Sequence, residues 1–201
     1  IRPNDAEIAG ITQSIVTAAV GPPVTFAGVD PIRFTDTRLR LRGRRLVANT
    51  PQRIQIGGVA GIAPTTTAVT ANFTTVDQDG PGYLSVWACE AQAPTVSTVN
   101  WWEPAAVANS ATVTVDGFGG ICVISNTATE LIVDIAGTYQ AAVGDAFTPI
   151  TPRRLLDTRT GAPAGPSPIT VVVPPLDAAS PRASAVALNV TATDAVEPGY
   201  V

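Results

Sequence analysis

Two short runs place a carboxylate and a guanidinium two residues apart, Asp36-Thr37-Arg38 and Asp157-Thr158-Arg159. On a β-strand that spacing puts both groups on one face, where they can pair. Acid–base catalysis would need a second carboxylate and a cleft, and the neighbouring sequence supplies no such partner. The pattern therefore predicts a structural Asp–Arg network that pins each strand, with Asp134 as a further member. The rest of the composition narrows the chemistry. Among 201 residues there is no His, and all 12 basic residues are Arg. Ser-His-Asp and Cys-His mechanisms, Cys/His zinc sites, Schiff-base lysines and phosphate-loop lysines are all excluded. No catalytic residue, metal site or cofactor is assigned, and the reading is that of a non-enzymatic protein.

Other residues invite binding roles. Asp77-Gln78-Asp79-Gly80 opens like a calcium loop but lacks the acid at the twelfth position, so it reads as a turn closed by Asp side chains. Asn72 and Asn189 occupy Asn-x-Thr sequons and read as structural residues bonding the backbone. Trp101-Trp102, followed by Glu103, could offer a stacking platform for a sugar ring, with Glu103, Asn100 and Tyr83 orienting hydroxyls. Adjacent strand residues face opposite ways, so one of the two indoles is expected in the core and the other in solvent. Cys89 and Cys122 match no C-x-x-C spacing and sit in β-like runs. Either a disulfide clamps two strands, or both are inert buried thiols.

The formal net charge is −4, yet Arg33, Arg38, Arg40, Arg42, Arg44, Arg45 and Arg53 crowd one segment against a single acid, Asp36. Arg38-Leu39-Arg40-Leu41-Arg42 alternates and predicts a strand with one row of arginines, which Arg44 and Arg45 extend. Two readings stay open: a solvated edge strand guarded against aggregation, or an interface for an anionic partner, either a wall polymer or the acidic surface of another copy. Nucleic acid is disfavoured, because the chain is acidic elsewhere and the stripe lacks interleaved aromatics. No apolar run approaches the roughly 18 residues of a membrane span.

An internal repeat organises the elements that carry these residues. Pro31-Ile32-Arg33-Phe34-Thr35-Asp36-Thr37-Arg38 returns as Pro152-Arg153-Arg154-Leu155-Leu156-Asp157-Thr158-Arg159, an offset of 121. Ala68 to Thr74 returns as Ala185 to Thr191, and Pro81-Gly82-Tyr83 as Pro198-Gly199-Tyr200, at an offset of 117. Glu7-Ile8 and Ala18 to Gly21 echo Glu130-Leu131 and Ala141 to Gly144 at an offset of 123, which reads residues 7–20 as a final strand. The 3-and-4 spacing of Ile8, Ile11 and Ile15 reads the same segment as a helix, and both readings stay open. Within the repeat, Gln52 to Ile56 and Ala111 to Val115 alternate, while Ile121 to Ile124 and Leu131 to Ile135 are short apolar runs suited to buried strands. The pattern predicts an all-β protein, an antiparallel β-sandwich or jelly-roll-like repeat. Its parts are an N-terminal arm (1–23), a complete repeat (24–145) and the first half of a second (146–201).

Arg154-Leu155-Leu156-Asp157-Thr158-Arg159, Ala185 to Asp194, Pro198-Gly199-Tyr200-Val201, Val86-Trp87-Ala88-Cys89, Ser97 to Asn100, Val107 to Ser110 and Leu131 to Gly137 together resemble the tandem repeat unit of large secreted surface proteins of actinobacteria. The resemblance implies secretion to the cell surface, a β-rich unit and a Cys89–Cys122 bond, and it implies no activity. The Arg-rich run after Arg38 and the unfinished second unit depart from its pattern. The expectation is a structural protein, a subunit of a head-to-tail fibre or tandem array. Its N-terminal arm (Glu7, Ile8, Ile11, Ile15 and Val20) and its Arg38 to Arg45 row would serve as interface. The alternative is a carbohydrate- or wall-binding module that uses Trp101 or Trp102.

Overall fold

Period-two alternation between turn signals builds β-strands throughout the first part of the chain. The computed structural model describes residues 24–141, 144–146, 154–161, 164–165, 167–174, 183 and 185–192. The N-terminal arm, with Glu7, Ile8, Ile11, Ile15 and Val20, lies outside the described residues, as do Pro198 to Val201. The chain divides into two units, Ile1–Phe147 and Thr148–Val201.

The first unit contains, among the described residues, eight strands: β1 (Val24–Asp36), β2 (Gln52–Gln55), β3 (Ala68–Val76), β4 (Gly82–Ala88), β5 (Val99–Trp101), β6 (Val107–Thr114), β7 (Gly120–Ser125) and β8 (Glu130–Ala141). They form two four-stranded sheets, ordered β1-β8-β3-β6 and β2-β7-β4-β5, and every neighbouring pair is antiparallel. The pairs β1–β8, β2–β7, β3–β6 and β4–β5 are those of a long hairpin wrapped over itself, so this β-sandwich is a jelly roll. A consequence follows for any half of it. Each hydrogen-bonded ladder joins one of β1–β4 to one of β5–β8, and none joins two strands of the same half.

The alternation of β3 turns Val69, Ala71, Phe73 and Thr75 inward while the residues between them are half-buried. Opposite them the second sheet contributes Ile54, Leu84, Val86, Ile121 and Val123, and Phe34, Leu131, Val133 and Ile135 come from β1 and β8. Each such apolar side chain stabilises the fold by about 1.5–3 kcal/mol through removal from water. The apolar runs Leu131 to Ile135 and Ile121 to Ile124 lie in β8 and β7, which are interior strands of their sheets.

Arg38 to Arg42 is not a strand. Thr37–Leu39 forms one turn of 3-10 helix, and Arg40 (φ 56°) and Arg42 (φ 51°) adopt left-handed backbone conformations. The Arg40 N–H donates to the Thr37 carbonyl, and Asp36 and Leu41 exchange backbone hydrogen bonds of 3.1 and 2.9 Å, so the loop closes on itself. Leu39 consequently points into solvent, 75% exposed, instead of joining a buried row.

In the second unit Thr158–Thr160 forms the matching 3-10 turn, and no described residue lies in a strand. The expected counterpart of β3 is exposed, with Val186 at 40%, Leu188 at 56% and Val190 at 69%. The topology accounts for this, because β3 pairs only with β6 and β8, and the repeat supplies no counterpart of either within residues 148–201.

Candidate functional site

In the jelly roll the β1–β2, β3–β4, β5–β6 and β7–β8 connections gather at one end of the sandwich, and hydrogen bonds lock them together. Leu46 and Thr129 bridge the first to the last (2.9 and 3.3 Å), and the Asp79 N–H donates to the Ala128 carbonyl (3.0 Å). The buried Gln78 side chain donates to the Ala105 carbonyl (2.7 Å) and accepts from the Ala105 N–H (3.2 Å). This end carries the arginine-rich loop, Asp77 to Asp79, Trp102 and Glu103.

The Asp36 carboxylate, only 1% exposed, anchors the loop. Arg38 grips it side-on, Nε to Oδ1 at 2.9 Å and Nη2 to Oδ2 at 2.7 Å, and Arg33 Nη1 approaches Oδ2 at 3.4 Å. Arg33 also donates to Asp134 on β8 at 2.6 and 3.3 Å. The 3-10 turn makes this possible by folding Arg38 back over the strand end. The Arg38 hydrogen bond holds the Asp36 carboxyl below the usual carboxylate range, with burial opposing it. Asp157 in the second unit repeats the arrangement: Arg159 Nε to Oδ1 is 2.9 Å, Nη2 to Oδ2 is 2.7 Å, and Arg154 Nη1 to Oδ2 is 2.5 Å. There the carboxylate is 21% exposed, and Arg159 again lowers its pKa.

Beyond the clasp the loop is concave. Thr37, Arg38, Arg40, Arg44, Arg45 and Glu130 line a cavity of about 540 Å³. Arg45 is tied to Asp79 (2.7 Å), the Asp77 carbonyl (2.7 Å) and Glu130 (3.6 Å), and the Thr37 hydroxyl donates to Glu130. Arg42 turns away, donating to the Phe34 carbonyl (2.8 Å) with its guanidinium 5.1 Å from the Phe34 ring centroid. The arginines therefore form a cup, where alternation had predicted a row.

Trp101 cannot serve as a sugar platform. It ends β5, is 3% exposed, and donates its indole N–H to the Gly80 carbonyl at 2.7 Å. Trp102, just past the strand, is 86% exposed. Tyr83 and Asn100 face each other across β4 and β5. Among the described residues Asn72 and Asn189 each donate to the Thr two residues on, Thr74 (3.3 Å) and Thr191 (3.2 Å), and not to the backbone, as same-side spacing along an extended chain allows.

At the opposite end, Cys89 and Cys122 form a disulfide with Cα atoms 4.8 Å apart. Cys122 lies in β7, whereas Cys89 occupies the turn just after β4. The same end holds a pair that sequence reasoning missed, Arg53 with the buried Asp116, which also accepts from the Phe118 N–H (3.0 Å) and Gly120 N–H (2.8 Å). Arg53, opposed by burial and helped by those N–H groups, holds Asp116 at a pKa of about 2. The Asp-Gly-x-Gly-Gly run was a visible signal, since an Asp opening a Gly-rich turn so often binds the turn's own amides.

Among the described residues no group of three or more Cys, Asp or Glu side chains is placed to hold a metal ion, and no helix is long and apolar enough to cross a membrane. Neither a scan against protein-family models nor a search of curated proteins returns a match to this chain.

Proposed function

We propose that this protein is a structural, extracellular building block in which jelly-roll repeats follow one another head to tail, as a fibre or tandem array. The observation that carries the reading is the repeated clasp in its two settings. Around Asp36 it is sealed by β8, where Ile132 and Asp134 sit opposite Asp36 and Arg33. Around Asp157 the same atoms meet at the same Arg159 distances without that cover. The second unit thus carries a fold instruction whose ladder partners belong to the β5–β8 half of a repeat. A disulfide supports an oxidising location.

The topology also refines how a head-to-tail contact would work. Within β8 the arm echoes only Glu130, Leu131 and Ala141, through Glu7, Ile8 and Ala18, and β8 sits between β1 and β3. An arm from another copy would supply that one strand by strand addition. The second sheet would still need counterparts of β5 and β7, so the reading has the whole β5–β8 half supplied by another repeat sequence.

Appending a copy of residues 85–146 after Val201 tests this directly. Amides of residues 185–192 should pass from rapid to slow hydrogen exchange, and strand content should rise. Unchanged, rapid exchange in the extended protein would refute the reading.

A further inference from the structure

The arginine cup has more positive charge than the fold uses. Arg38 is consumed by Asp36, Arg45 by Asp79 and Glu130, and Arg42 by the Phe34 carbonyl. Arg40 and Arg44 line the same cavity, and among the described residues neither makes an ion pair or a side-chain hydrogen bond. Every acid within the cup is already engaged, since Glu130 accepts from Thr37 and pairs with Arg45. Arg40 and Arg44 are both exposed to solvent, so their guanidiniums are open to an incoming anion. Guanidinium is also the group best shaped for a planar or tetrahedral oxyanion, through parallel N–H donors. The loop that presents them is fixed by the Asp36 clasp, the 3-10 turn and the Asp36–Leu41 backbone pair, so little ordering is required on binding.

Trp102 adds the second recognition element. The topology brings it to this same end, and the hydrogen-bonded chain from Arg45 through Asp77 to Asp79, and from Gln78 to Ala105, links its loop to the cup. An indole that is 86% exposed at the same end of the sandwich as an oxyanion site fits an extended charged glycan, with one sugar ring stacking on the indole and the acid group of another in the cup.

We propose that the arginine cup, through Arg40 and Arg44, binds the oxyanion groups of an acidic extracellular glycan, with Trp102 stacking on a neighbouring sugar. This site is independent of how repeats assemble. Calorimetry on the intact, oxidised full chain at about 50 mM salt, where screening is modest, tests it with three probes: polygalacturonate, polyphosphate and neutral dextran. Polygalacturonate should bind, dextran should not, and Arg40→Gln with Arg44→Gln should weaken polygalacturonate by about tenfold or more. Trp102→Ala should weaken polygalacturonate several-fold and leave any polyphosphate binding unchanged. A second readout does not depend on variants: the Nε–Hε resonances of Arg40 and Arg44 should shift on adding polygalacturonate, while that of Arg53, at the other end of the sandwich, stays still. Equal polygalacturonate affinity in the double variant, unmoved Arg40 and Arg44 resonances, or binding of polyphosphate alone would overturn the assignment.

Discussion

Removing Arg38 exposes the asymmetry of the clasp. Its guanidinium is 42% exposed, whereas the Asp36 carboxylate is 1% exposed. Asp36→Asn leaves an arginine that water can solvate, and should cost about 1 kcal/mol. Arg38→Ala instead leaves a buried carboxylate with only Arg33 at 3.4 Å, and should cost about 3 kcal/mol at neutral pH, the lower end for a broken buried pair. Wild type and Arg38→Ala should also respond oppositely to acid. In the wild type the folded Asp36 pKa lies below its ordinary value of 3.8, so its contribution is present above that pH and is lost as the pH falls through the folded value. Without Arg38 the largest lowering influence is gone and burial drives the pKa upward. Protonation then relieves the folded state, so acidification from neutral towards pH 3.8 favours the variant. Urea unfolding followed by tryptophan fluorescence at neutral pH and near pH 3 measures both effects. The gap between wild type and Arg38→Ala should shrink on acidification. A gap that is constant with pH, or smaller than that of Asp36→Asn at neutral pH, would refute the reasoning.

Three further outcomes are expected. The Cys89–Cys122 bond closes a loop of 33 residues and should contribute about 3–4 kcal/mol, so reduction or Cys89→Ser with Cys122→Ser should lower the melting temperature by roughly 10–15 °C in calorimetry. Asp116, held at about 2 against an ordinary 3.8, adds about 2 kcal/mol that is present above pH 4 and lost as the pH falls towards 2; Asp116→Asn should flatten that part of the acid-unfolding profile. A Cβ on Gly82 would lie 2.8 Å from Trp101 Cζ2, so Gly82→Ala should destabilise by about 1–3 kcal/mol in denaturant titration, while Gly80→Ala, whose Cβ meets only Thr127 Cγ2 at 3.8 Å, should be nearly neutral.

Local patterns carried much of the fold and little of its wiring. The alternation of Ala111 to Val115 and the apolar runs of β7 and β8 were readable because side-chain period and burial are properties of a few adjacent residues. The order of strands was not, because it rests on pairings such as Arg33 with Asp134, 101 residues apart. Alternation misled at Arg38 to Arg42, where an ion pair and two left-handed arginines override the strand period. Parity alone said that one of Trp101 and Trp102 would be buried. Which one depended on the Gly80 carbonyl, offered from another loop. The cup escaped notice for the same reason, since it needs Glu130 from β8 beside residues 37–45.

The clasp and the strands differ in what they require, and that difference explains the second unit. Asp157 is gripped by residues two and three positions away, so the motif forms from purely local contacts and persists while largely exposed. A β-ladder in this topology closes only between the two halves of a repeat, at sequence separations such as the 69 residues between Val69 and Thr138. Loop closure of that length must be met by ladder and core together, and half a repeat supplies neither. By the repeat, the exposed Leu188 and Val190 correspond to Ala71 and Phe73, which are fully buried between β6 and β8. On the proposed assembly, in which repeats complete one another's sheets, order in the second unit becomes the readout of assembly.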